Sequence, residues 1–275
     1  MPFPGFELAC VVIVALALVA LARTQPWRPL LTSYAGLALA GWLGEETCIA
    51  WYRFYAYAPS WHGRVDHVPV LVPVIWPLVI LSARAVVDAV APSIGRWHAL
   101  AVAALVVVDA SLVEVIAVRA GLWAWAEPGH LGVPVIGILG WGFFAGGADL
   151  ALRRPGWQRP LALLGAVAAT HALIVATWWA CFKWTLRGDL GDGALTAVVL
   201  VGALAVPGAW VLRRQSGGLP LPIALPRMIA ASLFVVTLIV VAADATRLWL
   251  HTAAVAAPYL ALTAWRLPRG VTDRR

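Results

Sequence analysis

Five ionisable side chains fall within stretches of sequence otherwise suited to hydrocarbon: Glu45, Glu46, Asp109, Glu114 and His171. Burying such a group in a membrane is costly unless it faces a partner or a polar cavity, so each is a candidate functional residue. A carboxyl kept from water with no cation beside it retains its proton near neutral pH. It is then a general acid held in an apolar pocket. Aromatic residues cluster near these acids, with Tyr55 and Tyr57 after one group and Trp123 and Trp125 after the other. Their ring faces can stabilise a cation, although tryptophans near span ends also serve as interfacial anchors.

Helical geometry limits how these acids act together. Glu45 and Glu46 are about 100° apart on a helix, so one faces inward and the other needs a loop partner. Asp109 and Glu114 are about 140° apart and about 7.5 Å apart along the axis, and only a broad cavity is bordered by both. His62, Asp66, His67, Arg119, Glu127 and His130 fall in loops on the same side. A purely structural alternative is a set of ion pairs that lock the bundle, for instance Glu114 with Arg119. Asp149, four residues before Arg153, reads as a local ion pair.

The elements that must carry these residues are transmembrane helices. Of 275 residues, 62% are hydrophobic and 12% charged, against about 25% charged in soluble domains. Apolar runs of the length a bilayer requires lie near 6–23, 30–52, 67–90, 97–119, 131–152, 159–184 and 194–212. The stretch 226–265 is too long for one span and is interrupted by Asp244 and Arg247, giving about nine spans, with eight as the alternative. The expected fold class is therefore all-α, a single polytopic transmembrane bundle. Glu7 and the lack of a small-residue cleavage site make the first run a retained helix rather than a secretion signal. Fourteen of the twenty basic residues, including Arg227 and the terminal Arg266, Arg269, Arg274 and Arg275, fall on one side. By the positive-inside rule that side is cytoplasmic, with the N-terminus outside and, for nine spans, the C-terminus inside. The formal charge of +7 suits anionic lipid and does not imply nucleic acid. Cys10, Cys48 and Cys181 show no paired spacing and read as packing residues. Gly142 and Gly146 read as close packing within the monomer.

The sequence also repeats. Glu46 precedes Tyr55-Ala56-Tyr57-Ala58 by nine residues, and Glu114 precedes Trp123-Ala124-Trp125-Ala126 by nine. Val68-Pro69-Val70 with Trp76 is matched by Val133-Pro134-Val135 with Trp141, each tryptophan seven residues past its proline. Two such units, about 40–80 and 108–148, are an even number of crossings apart and so run the same way, with Glu46 and Glu114 at equivalent depth beside a shared cavity.

The run Asp109, Glu114, Gly121, Trp123, Trp125, Gly132-Val133-Pro134 and Gly140-Trp141, with Glu46, Phe54, Tyr55, Tyr57, Pro69, Pro73 and Trp76 before it, resembles the integral-membrane carotenoid biosynthesis family. Its known members are carotenoid C-1 hydratases, including bisanhydrobacterioruberin hydratase. The likeness covers roughly residues 40–145 and departs at Gly137-Ile138, where an Asn-Phe pair is expected, and in the basic loop from Trp61 to His67. The resemblance implies hydration of a terminal isoprenoid double bond, with no cofactor or metal. Glu46 or Glu114, with Asp109 as the other candidate, would donate the proton. Glu45, Tyr55, Tyr57, Trp76, Trp123, Trp125, Trp141 and His171 would bind the substrate, an isoprenoid or carotenoid lipid in a bacterial cytoplasmic membrane. The same equipment serves an isoprenoid cyclase, and parallel repeats with intramembrane acids also describe a proton-coupled transporter. A non-catalytic scaffold is a further alternative. The six scattered histidines do not suit a di-iron enzyme, and Lys183 near a span end does not suit a retinal protein.

Overall fold

The computed structural model describes residues 3–23, 26–127, 129–183 and 191–263. Nine α-helices succeed one another among them: α1 (Phe3–Ala22), α2 (Trp27–Thr47), α3 (Leu71–Val90), α4 (His98–Arg119), α5 (Val135–Leu152), α6 (Gln158–Thr177), α7 (Gly191–Ser216), α8 (Leu221–Ala242) and α9 (Thr246–Thr263). All but α2 and α9 are long and apolar enough to cross a membrane. The outer surface fits that reading, since Leu200, Val201 and Leu204 on α7 are 57%, 66% and 77% exposed, a display suited to lipid rather than water. The protein is a predominantly helical membrane bundle.

Small residues set how closely the helices approach. A methyl added at Gly142 of α5 would lie 2.5 Å from Val107 of α4, and one at Gly146 would lie 3.3 Å from Ala103. This is the packing within the chain expected from their spacing. Leu37, Ile80, Val102, Val106, Ala145 and Ala148 form the core that joins α2 through α5. The chain breaks between α8 and α9 at residues 243–245, beside Asp244, as the sequence suggested.

Several sequence expectations are corrected. Arg227, counted above among the basic residues flanking the spans on the cytoplasmic side, lies instead within α8, with 9% of its surface exposed. There its guanidinium donates to Asp109 and Ser82, both half-buried. Cys10 and Cys48 are buried, whereas Cys181 is exposed. Arg266, Arg269, Arg274 and Arg275 lie outside the described residues.

Four short strands interrupt the helical pattern: β1 (Tyr55–Tyr57), β2 (Arg64–Val65), β3 (Val68–Pro69) and β4 (Trp123–Trp125). β1 pairs antiparallel with β4, setting Tyr55 opposite Trp125, Ala56 opposite Ala124 and Tyr57 opposite Trp123. Because β1 follows α2 and β4 follows α4, those two helices end on the same face and run in the same direction.

The two halves of this ribbon match in detail. Ala58 N–H donates to Leu122 O at 3.0 Å, and Ala126 N–H donates to Phe54 O at 2.7 Å. Each strand is entered through a left-handed residue, Arg53 at φ 53° and Gly121 at φ 71°. Beyond the ribbon, Val65 bridges Val68 as His130 bridges Val133, around the left-handed Asp66 and Leu131. An approximate two-fold axis passes between Ala56 and Ala124. One feature breaks the match: α2 continues into a π-turn at Cys48–Tyr52, whereas α4 ends at Arg119 without one.

Candidate functional site

The π-turn decides which glutamate faces inward. Such a turn adds one residue to a helix, so the residue matching Glu114 stands ten, not nine, positions before Tyr55. That residue is Glu45. Its Oε2 accepts hydrogen bonds from Tyr55 Oη and, at 2.9 Å, from Tyr57 Oη, while its Oε1 accepts from Trp76 Nε1 at 2.8 Å. Glu114 is held in the same pattern. Its Oε2 accepts from Trp123 Nε1 at 2.8 Å and Trp125 Nε1 at 2.9 Å, and its Oε1 from Trp141 Nε1 at 2.8 Å.

The two cages touch each other ring to ring. Tyr55 lies 4.8 Å from Trp125, Tyr57 lies 5.9 Å from Trp123, and Trp76 lies 4.7 Å from Trp141, between ring centroids. Burial raises the Tyr55 and Tyr57 hydroxyls well above the usual phenol range. Both therefore remain O–H groups at neutral pH.

Both acids border one cavity of about 960 Å³. Its walls are mostly apolar, with Phe6, Cys10 and Ala17 of α1 closing one side. Along α3 it is lined from Val72 to Ala89, a rise of about 25 Å. The cavity therefore runs most of the bundle's length. Glu114 is nearly sealed at 2% exposure, while Glu45 is half-buried and keeps surface on the cavity wall.

Asp109 borders the same cavity, deeper in the bundle, and both of its oxygens accept hydrogen bonds from Arg227 Nη2. Arg227 also donates to Ser82 at 2.8 Å and lies 5.5 Å from the ring of Tyr259. Asp109 is thus a paired carboxylate, with a buried cation that spacing did not reveal. His171 lines the cavity beside the first cage, with its Nε2 2.7 Å from Thr47 Oγ1 and its ring against Trp51 and Tyr52.

Glu46 points away from this group and does not line the cavity. It accepts from His67 N–H at 3.1 Å and contacts His67 Nδ1 at 2.5 Å. That hydrogen bond, and then the charge of Glu46, raises His67 above the ordinary histidine value. With Asp66, these two bring ligand atoms within 4.8 Å of one another, the arrangement among the described residues that could hold a metal ion. Asp66 and His67 are both exposed, and the direct His67–Glu46 contact accounts for the grouping.

Other pairings follow from geometry. Arg119 is exposed, and both oxygens of Glu114 are occupied by indoles. Asp149 does pair with Arg153 at 2.9 Å, but it also binds Arg84 and lies 3.2 Å from His98, and it is fully buried. The network ties α3, α4 and α5 together at the end of the bundle away from the ribbon.

Sequence spacing thus brought Glu114, Tyr55, Tyr57, Trp76, Trp123, Trp125 and Trp141 to one place. It missed Arg227, Ser82 and Tyr259, for which the one available signal was an arginine inside an apolar run. No family model, curated protein or solved structure matches the chain.

Proposed function

We propose that this chain is a cofactor-independent enzyme that protonates a carbon–carbon double bond of an isoprenoid lipid and adds water to the resulting cation. The observation that carries the reading is the pair of matched cages, two carboxyl groups each held by three aromatic donors, side by side on the wall of one long apolar cavity. A carboxylic acid there gives its proton to the less substituted alkene carbon, leaving a tertiary cation. The rings of Tyr57, Trp123 and Trp125 face that cation, and the partner carboxylate lowers its energy. Water then adds to the cation and returns a proton to the site, so atoms and charge balance without a redox step.

The substrate class follows from the cavity, which accepts a hydrocarbon tens of ångströms long and presents few polar groups. A carotenoid or related polyene meets that description, in keeping with the resemblance drawn from the sequence. We place the protein in a bacterial cytoplasmic membrane with nine spans, N-terminus outside and C-terminus cytoplasmic, in line with its distribution of basic residues. A cyclase would use the same acid and rings, with an internal alkene in place of water.

Expression in a carotenoid-producing bacterium, followed by mass spectrometry of extracted pigments, tests the reading. A product heavier by one water supports hydration. An isomer of unchanged mass assigns cyclisation instead, and unchanged pigments refute both.

A further inference from the structure

The two cages match in geometry but not in chemistry. Indole N–H groups only donate hydrogen bonds, whereas a tyrosine hydroxyl both donates and accepts. Three indoles on Glu114 therefore satisfy a carboxylate and offer no acceptor to which a carboxylic O–H could pass its proton. On Glu45, Tyr55 and Tyr57 can do both. A proton on Glu45 Oε2 has a hydroxyl oxygen to point at, and a vacant Oε2 has a hydroxyl to draw from.

Access differs in the same sense. Glu114 is 2% exposed, and Glu45 retains surface on the cavity. Tyr55 also borders a second hollow of about 600 Å³, which opens on the other side of the ribbon and whose polar lining includes Arg53 and His67. Tyr57 borders the inner cavity and does not line this second hollow. Tyr55 is thus the aromatic ligand of Glu45 that borders both hollows.

Building on the proposed alkene chemistry, we infer that the two carboxyls divide the work: Glu45 carries the transferable proton, exchanged with water of the surface hollow through Tyr55, and Glu114 is a fixed carboxylate that faces the cation. In the exchange step Glu45 passes its proton to Tyr55 Oη as Tyr55 gives its own to water in the hollow, and the same path run backwards returns a solvent proton to Glu45, so acid, tyrosine and water all end neutral. In the reaction Glu45 protonates the alkene, and the water that adds to the cation returns its proton to Glu45. Glu114 keeps its charge throughout.

Infrared spectroscopy of the full-length protein in detergent reads this without any substrate, through the C=O stretch of a protonated carboxyl and its shift in D2O. The band is expected to vanish in Glu45→Gln and persist in Glu114→Gln. Tyr55→Phe should slow its shift in D2O by about 10²-fold, the low end of what a positioned proton-transfer group supplies. Tyr57→Phe, which breaks a similar hydrogen bond away from the surface hollow, should leave the shift fast. A band that survives Glu45→Gln, disappears in Glu114→Gln, or exchanges equally fast in wild type and Tyr55→Phe overturns the inference. These spectra stand apart from the substrate question: the assigned band with unchanged pigments would refute the hydratase and retain the division of labour.

Discussion

Glu45 and Glu114 occupy matching places in two copies of one helix–strand–helix unit, yet one sits among tyrosines and the other among tryptophans. The first cage can accept as well as donate hydrogen bonds, and the second only donates. The units differ again five residues earlier, where Asp109 stands before Glu114 and Ala40 before Glu45. Asp109 brings a buried arginine with it, so the second unit holds fixed charge and the first a carboxyl with room to exchange. Equivalent backbones have thus been given unequal side chains, and the asymmetry is what a proton donor and an electrostatic partner would each need.

That contrast can be broken by substitution. The largest effect is expected from Glu45→Gln, which should lower turnover by about 10² to 10⁴-fold, the usual contribution of a general acid. It should leave the fold intact, because the amide can accept from Trp76 and donate to both tyrosines. Product formation and thermal unfolding in detergent check the two halves of that expectation.

Next comes Arg227→Met, which strands Asp109 in the bundle and should cost about 3–5 kcal/mol of stability, as when one member of a buried pair is removed. Adding Asp109→Asn to it should recover much of the loss, because no unpaired charge then remains. Equal destabilisation of the single and double variants would show that the pair is not what holds α8 to α4.

Glu114→Gln should destabilise by about 1–3 kcal/mol, the penalty for an unsatisfied buried polar group. Whichever way the amide turns, its NH2 meets an indole N–H that can only donate. The same change at Glu45 is near neutral for stability, so the two unfolding curves should separate. If they coincide, the chemical difference between the cages has no energetic weight.

The smallest effect concerns His67. Its protonated form bonds Glu46, and its value in the folded protein is raised above 6.5. The contact therefore contributes fully below the unfolded value and is lost as pH rises through the higher folded one. Resonances of His67 should titrate above the ordinary histidine range in wild type and return towards it in Glu46→Gln. Turnover should be little changed, since Glu46 lies off the cavity.

Much of this was legible in the sequence because membranes impose simple rules. Charge-free runs marked the helices, and the recurrence of acid, aromatic pair, proline and tryptophan marked the two units. The register of the acid was not legible. Counting residues aligned Glu46 with Glu114, since nothing in Cys48-Ile49-Ala50-Trp51-Tyr52 announces a π-turn, and one added residue exchanges Glu46 for Glu45 at the cavity. Arg227 was hidden for a different reason: side-chain partners from α3 and α4 hold it inside α8, and such tertiary pairing leaves no trace in local spacing.

The most direct test is to incubate purified protein with a linear isoprenoid in D2O and locate deuterium in the product by mass spectrometry. Wild type should yield the hydrated product with one deuterium on the carbon next to the new carbinol, and Glu45→Gln should yield essentially none. A hydrated product without carbon-bound deuterium, or full turnover by Glu45→Gln, would contradict proton transfer from the caged acid.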